Sequence, residues 1–220
     1  MADEVRYMFC RDVITENQVW KAPGAKDQKF EVKLWGGGGA GSCSSFDNVV
    51  SGAGGGSGYM NCKTFEIPEN EEVSVTIGKG GIGCSGVTAT DFVNGYIGES
   101  GGTTMFGRYM SAAGGCGGKL SEGGQGGFNG GAPGKAGEGN FGSYGCVDTV
   151  GGVSYASGGG GSAIQARGRG GCANYVVGDG GTAAGGAGCF VVEVDNAGVH
   201  RRTGNGGQGV AVISYYRRLG

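Results

Sequence analysis

The amino-acid sequence predicts an all-β frame combined with short glycine-rich segments of the polyproline-II type. Three observations support this fold class: period-two alternation of apolar and polar residues in several runs, glycine at every third position in others, and no sustained helical periodicity. The chain has 57 glycines in 220 residues, against about 15 at average usage. Because glycine loses the most conformational freedom on folding, this content indicates that its small size is needed.

Several runs have the alternation typical of β-strands with one buried face. Residues 30–35, 72–77 and 189–194 each place three alternating apolar residues on one face: Phe30, Val32 and Leu34; Val73, Val75 and Ile77; and Phe190, Val192 and Val194. Residues 210–216 are apolar on both sides, which predicts a strand in the middle of a sheet. The weaker strand candidates are 59–67 and 103–112.

Glycine recurs at every third position in five short sets. They are Gly52, Gly55 and Gly58; Gly95, Gly98 and Gly101; Gly124, Gly127 and Gly130; Gly131, Gly134 and Gly137; and Gly139, Gly142 and Gly145. Period three is that of the polyproline-II helix, and glycine lets such helices pack closely enough to bond to one another. Short sets and only 3 prolines exclude collagen. The sets therefore predict brief polyproline-II segments packed side by side, and long flexible loops are the alternative.

Aromatic residues lie within or beside these glycine sets. On a rigid scaffold they offer a large contact area at low entropic cost, which suits recognition. The alternative is that they cap the edges of the glycine segments or anchor the β frame. The residues that we expect to bind a receptor are Phe128, Phe141, Tyr144, Tyr155 and Tyr175.

Composition argues against several partners and cofactors. The formal net charge is −2, and the Arg-Gly segment at 167–171 has no basic stripe beside it, so we expect no nucleic-acid partner. No apolar run is long enough to cross a membrane, and residues 1–6 lack the basic and then apolar pattern of a secretory signal, so we expect neither. The 8 cysteines form no C-x-x-C pair, which predicts no metal site and reduced, buried thiols, although the even count permits disulfides.

Catalytic motifs are equally weak. Residues 81–86 match the dinucleotide-binding pattern G-x-G-x-x-G, but the β-branched residues after them predict no helix to receive a pyrophosphate. The Gly-Lys pairs that follow glycine runs continue with Leu120 and Ala136, so neither completes a phosphate-binding loop. His200 is the only histidine of the chain. We therefore predict that the protein is not an enzyme and has no cofactor.

Four blocks of sequence occur in a recognisable order. They are Trp20-Lys21-Ala22-Pro23-Gly24 with the strand 30–35 and the glycine run 36–41; residues 54–59 with 73–81; residues 101–107 with 111–115; and residues 206–215. Together they resemble the glycine-rich domain of bacteriophage tail fibre and adhesin proteins. The resemblance implies a β-sandwich base, closed by the N- and C-terminal strands, from which the polyproline-II segments extend.

The same resemblance implies a virion structural protein, a tail-tip or fibre-tip adhesin that binds the bacterial surface. It would be made in the host cytoplasm and reside on the exterior of the virion. A baseplate or capsid decoration protein without a receptor is the alternative, and ice binding is disfavoured. We expect residues 19–220 to form the domain and residues 1–18 to attach it to another virion protein.

Overall fold

The structure is a computed structural model, and it contains strands and connecting segments without a helix in the part of the chain that it describes. These ranges also hold no helix with the length and apolar character needed to cross a membrane. The described residues are 6–24, 28–42, 44–46, 49–51, 54–83, 96–119, 124, 144–150, 153–158, 179–180, 182–183, 185–186, 190–195 and 198–219.

In the described residues, fourteen strands form two four-stranded sheets and three two-stranded hairpins. The strands are β1 (Arg6–Ile14), β2 (Gln18–Lys21), β3 (Lys29–Trp35), β4 (Ser44–Phe46), β5 (Val49–Ser51), β6 (Met60–Glu66), β7 (Glu72–Thr76), β8 (Thr104–Phe106), β9 (Met110–Ala112), β10 (Tyr144–Val150), β11 (Val153–Gly158), β12 (Phe190–Asp195), β13 (Gly198–Arg202) and β14 (Val210–Leu219).

The two larger sheets pack as a β-sandwich. The main sheet has the order β1-β14-β3-β6, and the small sheet has the order β2-β7-β8-β9. All their strand pairs are antiparallel. The hairpins are β4–β5, β10–β11 and β12–β13. The N-terminal strand β1 pairs with the C-terminal strand β14 along its whole length. The predicted all-β sandwich, closed by the two terminal strands, is thus confirmed.

The strongest strand predictions match observed strands. The prediction for 210–216 is confirmed, because β14 lies between β1 and β3 in the middle of the main sheet. The single strand predicted for 103–112 is wrong. The chain forms β8 and β9 there, joined by a tight turn in which Gly107 has a φ of 47°. A residue with a side chain adopts that φ only with strain, so the turn depends on glycine and interrupts the strand.

Alternating side chains build the core of the sandwich. Phe30, Val32 and Leu34 project from one face of β3 and are fully buried. Trp20 of β2 packs against Phe30 and against Phe106 of β8, with ring centroids 5.3 and 5.6 Å apart. Burial of each such side chain contributes roughly 1.5–3 kcal/mol. This core holds the two sheets together and fixes the positions of their strand ends.

Candidate functional site

Six strands meet the glycine-rich segments at the same end of the sandwich. Strands β3, β7 and β9 end there, whereas β6, β8 and β14 begin there, as their antiparallel registers require. Each leads within one or two residues into an irregular glycine-rich segment. We call the packed set of these segments the glycine lattice. Its described segments are 36–41, 54–59, 78–83, 98–102, 113–118 and 204–209, with a further one through Ala183 and Gly186.

The segment 36–41 lies at the centre of the glycine lattice. Its successive N–H groups donate to three different neighbours in turn, and residues three apart donate to the same neighbour. This threefold repeat is the geometry of a polyproline-II helix, which has three residues per turn and no internal hydrogen bonds. The donor pairs are Gly36 and Gly39 to segment 54–59, Gly37 and Ala40 to 98–102, and Gly38 and Gly41 to 204–209, at N···O distances of 2.7–3.0 Å.

Three further segments donate to carbonyl groups of the central one. The donors are Gly115 and Gly118 of 113–118, Gly81 of 78–83, and Gly186, at 2.8–2.9 Å. The central segment therefore has six hydrogen-bonded neighbours. Those six are also bonded to one another in a closed ring, in the order 54–59, 113–118, 98–102, 78–83, 204–209 and the segment through Ala183. The result is a hexagonal bundle whose backbone groups bond mainly between segments.

Close packing explains the glycine content of these segments. A Cβ atom added to Gly39 would lie within 3.0 Å of backbone atoms of Cys116 and Gly117, and one added to Gly58 would overlap the carbonyl group of Gly36. Backbone atoms at those positions cannot rotate away as the end of a side chain can. Glycine is thus required by the approach of neighbouring segments, which confirms the predicted packing of polyproline-II segments.

The predicted glycine sets are found in the lattice where they are described. Gly55, Gly58, Gly98 and Gly101 make hydrogen bonds between segments, and Gly124 donates to the Gly54 carbonyl group at 2.9 Å. Gly145 lies in strand β10 instead. The residues that lie outside the described part of the chain are Gly52, Gly95, Gly127, Gly130, Gly131, Gly134, Gly137, Gly139 and Gly142.

A buried threonine joins the glycine lattice to the sandwich. The hydroxyl group of Thr104, at the start of β8, donates to the carbonyl oxygen of Trp35 at 2.7 Å. It also accepts a hydrogen bond from the N–H of Gly78 at 3.0 Å. Both bonds are buried, so neither backbone group has water as a substitute. Thr104 thus holds together the start of two lattice segments: Trp35 lies directly before the central segment 36–41, and Gly78 is the first residue of the outer segment 78–83.

The exposed side chains of the outer segment 78–83 lie three residues apart, at Lys79 and Ile82. Ile82 of segment 78–83 is 64% exposed, and Ile97, directly before segment 98–102, is 58% exposed. The two segments are neighbours in the ring. We call Ile82, Ile97 and the adjacent Tyr96 the isoleucine patch. Large exposed apolar side chains grouped on a rigid surface are typical of interaction sites.

The isoleucine patch is held in place by hydrogen bonds. The Tyr96 hydroxyl group donates to the Ile82 carbonyl oxygen at 2.9 Å. The Ile82 N–H is 3.3 Å from a carboxylate oxygen of Glu99, which lies on the neighbouring segment. Ile82 is four residues beyond Gly78, or roughly 12 Å along a polyproline-II helix. The patch is therefore an ordered apolar surface with one carboxylate beside it, displayed away from the sandwich.

The structure describes the predicted receptor-binding residues only in part. Tyr144 and Tyr155 belong to one hairpin, because β10 pairs with β11. Their side chains are not among those described. Phe128, Phe141 and Tyr175 lie outside the described residues. The isoleucine patch was missed because only aromatic residues were considered. The sequence did contain an indication of this patch: Ile82 and Ile97 lie in or beside glycine segments, where a large side chain fits only if it points outward.

The described residues contain no group of three or more His, Cys, Asp or Glu side chains that could hold a metal ion. Burial, with a smaller effect of Asp12, raises the pKa of Tyr215 to about 12. Burial also raises the pKa of Tyr109. Both tyrosines pack against the core of the sandwich rather than in the lattice.

Comparison with known families agrees with this architecture. A family model described as a glycine-rich domain matches residues 13–216, which include the small sheet, β3, β6 and most of β14 of the main sheet, and the described lattice segments. The chain belongs to the glycine-rich domain family. The match begins inside β1, so this family covers part of the segment 1–18 that was assigned to attachment. A comparison with curated proteins found no match.

Proposed function

We propose that this member of the glycine-rich domain family is a bacteriophage virion structural protein, a tail-tip or fibre-tip adhesin that binds the bacterial surface without catalysis. The observation that carries the proposal is the glycine lattice, which extends from six strand ends and displays an ordered apolar patch. A surface that is rigid before binding loses little conformational entropy when a receptor docks.

In this proposal the two ends of the molecule have different roles. The lattice end displays the isoleucine patch, and the residues predicted from sequence (Phe128, Phe141, Tyr144, Tyr155 and Tyr175) would extend the receptor surface. The opposite end of the main sheet consists of the start of β1 and the end of β14. There, residues within 1–18 would attach the protein to the virion. The sequence resemblance to fibre and adhesin domains supports the same arrangement.

Adsorption of phage particles tests the receptor-binding role. Particles carrying Ile82→Ser together with Ile97→Ser should adsorb to host cells roughly tenfold or more slowly, because the two side chains would form the centre of the interface, where truncating a hot-spot residue costs about 2 kcal/mol or more. The matched control is Val19→Ser, which removes a similarly exposed apolar side chain (62%) from β2 of the sandwich. The control should adsorb at the normal rate.

The same assay separates the adhesin from its alternative. If the isoleucine variants and Tyr144→Ala with Tyr155→Ala all adsorb normally, these residues are not the receptor-binding surface. If particles that lack the protein altogether also adsorb normally but are less stable, the protein is a baseplate or capsid decoration component. Slow adsorption of particles lacking the protein supports the adhesin.

A further inference from the structure

Strand β1 is an unusual edge of the main sheet. Edge strands attract further strands unless they are short, broken by a bulge or marked by lysine or proline. The other three edges have such features: β2 and β9 have 4 and 3 residues, and β6 carries Lys63 near its middle. Strand β1 has 9 residues with an unbroken register to β14 and neither lysine nor proline; its charged residues are Arg6, Arg11 and Asp12, and Asp12 is hydrogen-bonded to Trp20. It is thus the edge best suited to accept another strand.

The outer face of β1 is apolar and exposed. Tyr7 is 63% exposed, Phe9 49% and Val13 45%, and they lie on the same face as Tyr216 of β14. The rings of Phe9 and Tyr216 pack with centroids 5.3 Å apart. The pairing of β14 with β3 reaches only Tyr215, so the strand ends beyond it form a two-stranded ribbon in the described structure. A ribbon of two strands is only marginally stable in water without further packing.

We propose that a second copy of this chain pairs with β1, antiparallel and centred on Cys10. Cys10 is the middle residue of the nine in β1, so this register is the one in which both strands overlap completely. A twofold axis beside Cys10 would join two main sheets, each of four strands, into one continuous sheet. The backbone groups along both edges would then be paired, and the aromatic ribbons would gain packing partners.

The side chains of β1 are complementary in this register. Tyr7 faces Val13 of the second copy, and Phe9 faces Arg11 of the second copy. Arg11 already lies over the ring of Phe9 within one chain, 5.3 Å from its centroid, so a guanidinium–aromatic contact is favourable here. Opposite Asp12 stands Met8, so no two like charges are directly opposed. Asp12 itself accepts a hydrogen bond from Trp20 Nε1 at 2.8 Å and stays within its own chain.

The pairing has a geometric consequence. Strand β1 runs toward the glycine lattice, because its last residue, Ile14, pairs with Ala211 beside segment 204–209. An antiparallel partner runs the opposite way. The dimer would therefore carry its two lattices at opposite ends of the joined sheet. The dimer uses only β1 (Arg6–Ile14) of the segment 1–18, so it does not replace the proposed attachment to the virion, and it is tested on the purified chain without reference to receptor binding.

Sedimentation equilibrium of the purified full chain under reducing conditions is the first test. We expect a species of twice the 21.8 kDa chain mass. Phe9→Lys places a lysine opposite Arg11 of the second copy at both symmetric positions. The like charges and the lost ring contact should weaken dimerisation at least about tenfold. Adding Arg11→Glu places a glutamate opposite the substituted position 9 of the other copy. The two charges then form an ion pair, which should restore the dimer. Val19→Lys, on the edge of the small sheet, is the matched control and should leave the dimer intact.

Oxidative cross-linking tests the register. Residues directly opposite in an antiparallel pair have Cα atoms about 4.5–5.5 Å apart, within the roughly 4.4–6.8 Å that a disulfide spans. Mild oxidation should therefore give a Cys10–Cys10 linked dimer, identified by peptide mass and lost in Cys10→Ser. A chain that is monomeric throughout, or a dimer that is unaffected by Phe9→Lys and lacks this link, overturns the proposal.

Discussion

The substitution Gly39→Ala probes the centre of the glycine lattice. Gly39 donates its N–H to the Gly56 carbonyl group at 2.8 Å and accepts from the Gly186 N–H at 2.9 Å. The added methyl group would lie within 3.0 Å of backbone atoms of Cys116 and Gly117. Because Cys116 also accepts from Gly56, segment 113–118 cannot move away without disturbing a third hydrogen bond.

The cost follows from these contacts. Each net hydrogen bond is worth about 1 kcal/mol, and forcing an extra methyl group into a packed interior costs typically 1–3 kcal/mol. We therefore expect Gly39→Ala to lower the free energy of unfolding by about 4–6 kcal/mol. For a chain of this size, that loss corresponds to a fall in Tm of roughly 10–20 °C.

Thermal unfolding followed by circular dichroism measures this difference. Gly24→Ala is the control, because its Cβ would meet only the side chain of Glu69, whose exposed carboxylate end is free to move. That variant should change the free energy of unfolding by less than about 1 kcal/mol. A Tm for Gly39→Ala within a few degrees of the control would refute the close packing of backbone segments.

Three further predictions concern the sandwich and its junction with the lattice. Thr104→Val leaves two buried backbone groups without their partner and should cost roughly 2–4 kcal/mol in urea unfolding, whereas Thr104→Ser should retain most of the stability. Gly107→Ala places a side chain at a φ of 47° and a Cβ 2.8 Å from Val73 Cγ1, so it should cost at least about 1 kcal/mol; equal Tm values would contradict the turn geometry. Because the pKa of Tyr215 is raised to about 12 in the fold, mainly by burial, its contribution to stability is complete below pH 10 and declines as the pH rises toward 12. Ultraviolet titration of the phenolate should show this late step, and Tyr215→Phe should remove it; a normal titration would contradict the burial.

Several strands of the sandwich could be predicted, because the alternation of apolar and polar residues shows which face of a strand is buried. Residues 30–35 and 72–77 match β3 and β7 within one residue at either end. The role of β1 was only partly predicted: the sandwich was expected to close with the N- and C-terminal strands, but residues 1–18 were assigned to attachment. The strand shows no simple alternation, and both faces of its first half are exposed. The turn at Gly107 was missed, because a single glycine within a run of strand-forming residues does not reveal its φ.

The sequence predicted that glycine-rich segments form packed polyproline-II helices, but not which segments are neighbours. Period three identified polyproline-II segments, yet the central segment 36–41 was not among the sets, because Ala40 interrupts its glycines. Which segment occupies the centre depends on pairings between residues far apart in sequence, such as Gly41 with Gly204. The sequence of a single segment does not show which distant segment it pairs with. Only the requirement that large side chains face outward could have pointed to Ile82 and Ile97.

Immunogold electron microscopy of phage particles, with antibody against this chain, tests the central claim most directly. A glycine lattice that displays a receptor surface on a virion predicts label at the distal end of the tail or fibre. Label on the head or along the tail body would contradict the adhesin and favour a decoration or baseplate protein. Intact particles without label would contradict the assignment to the virion.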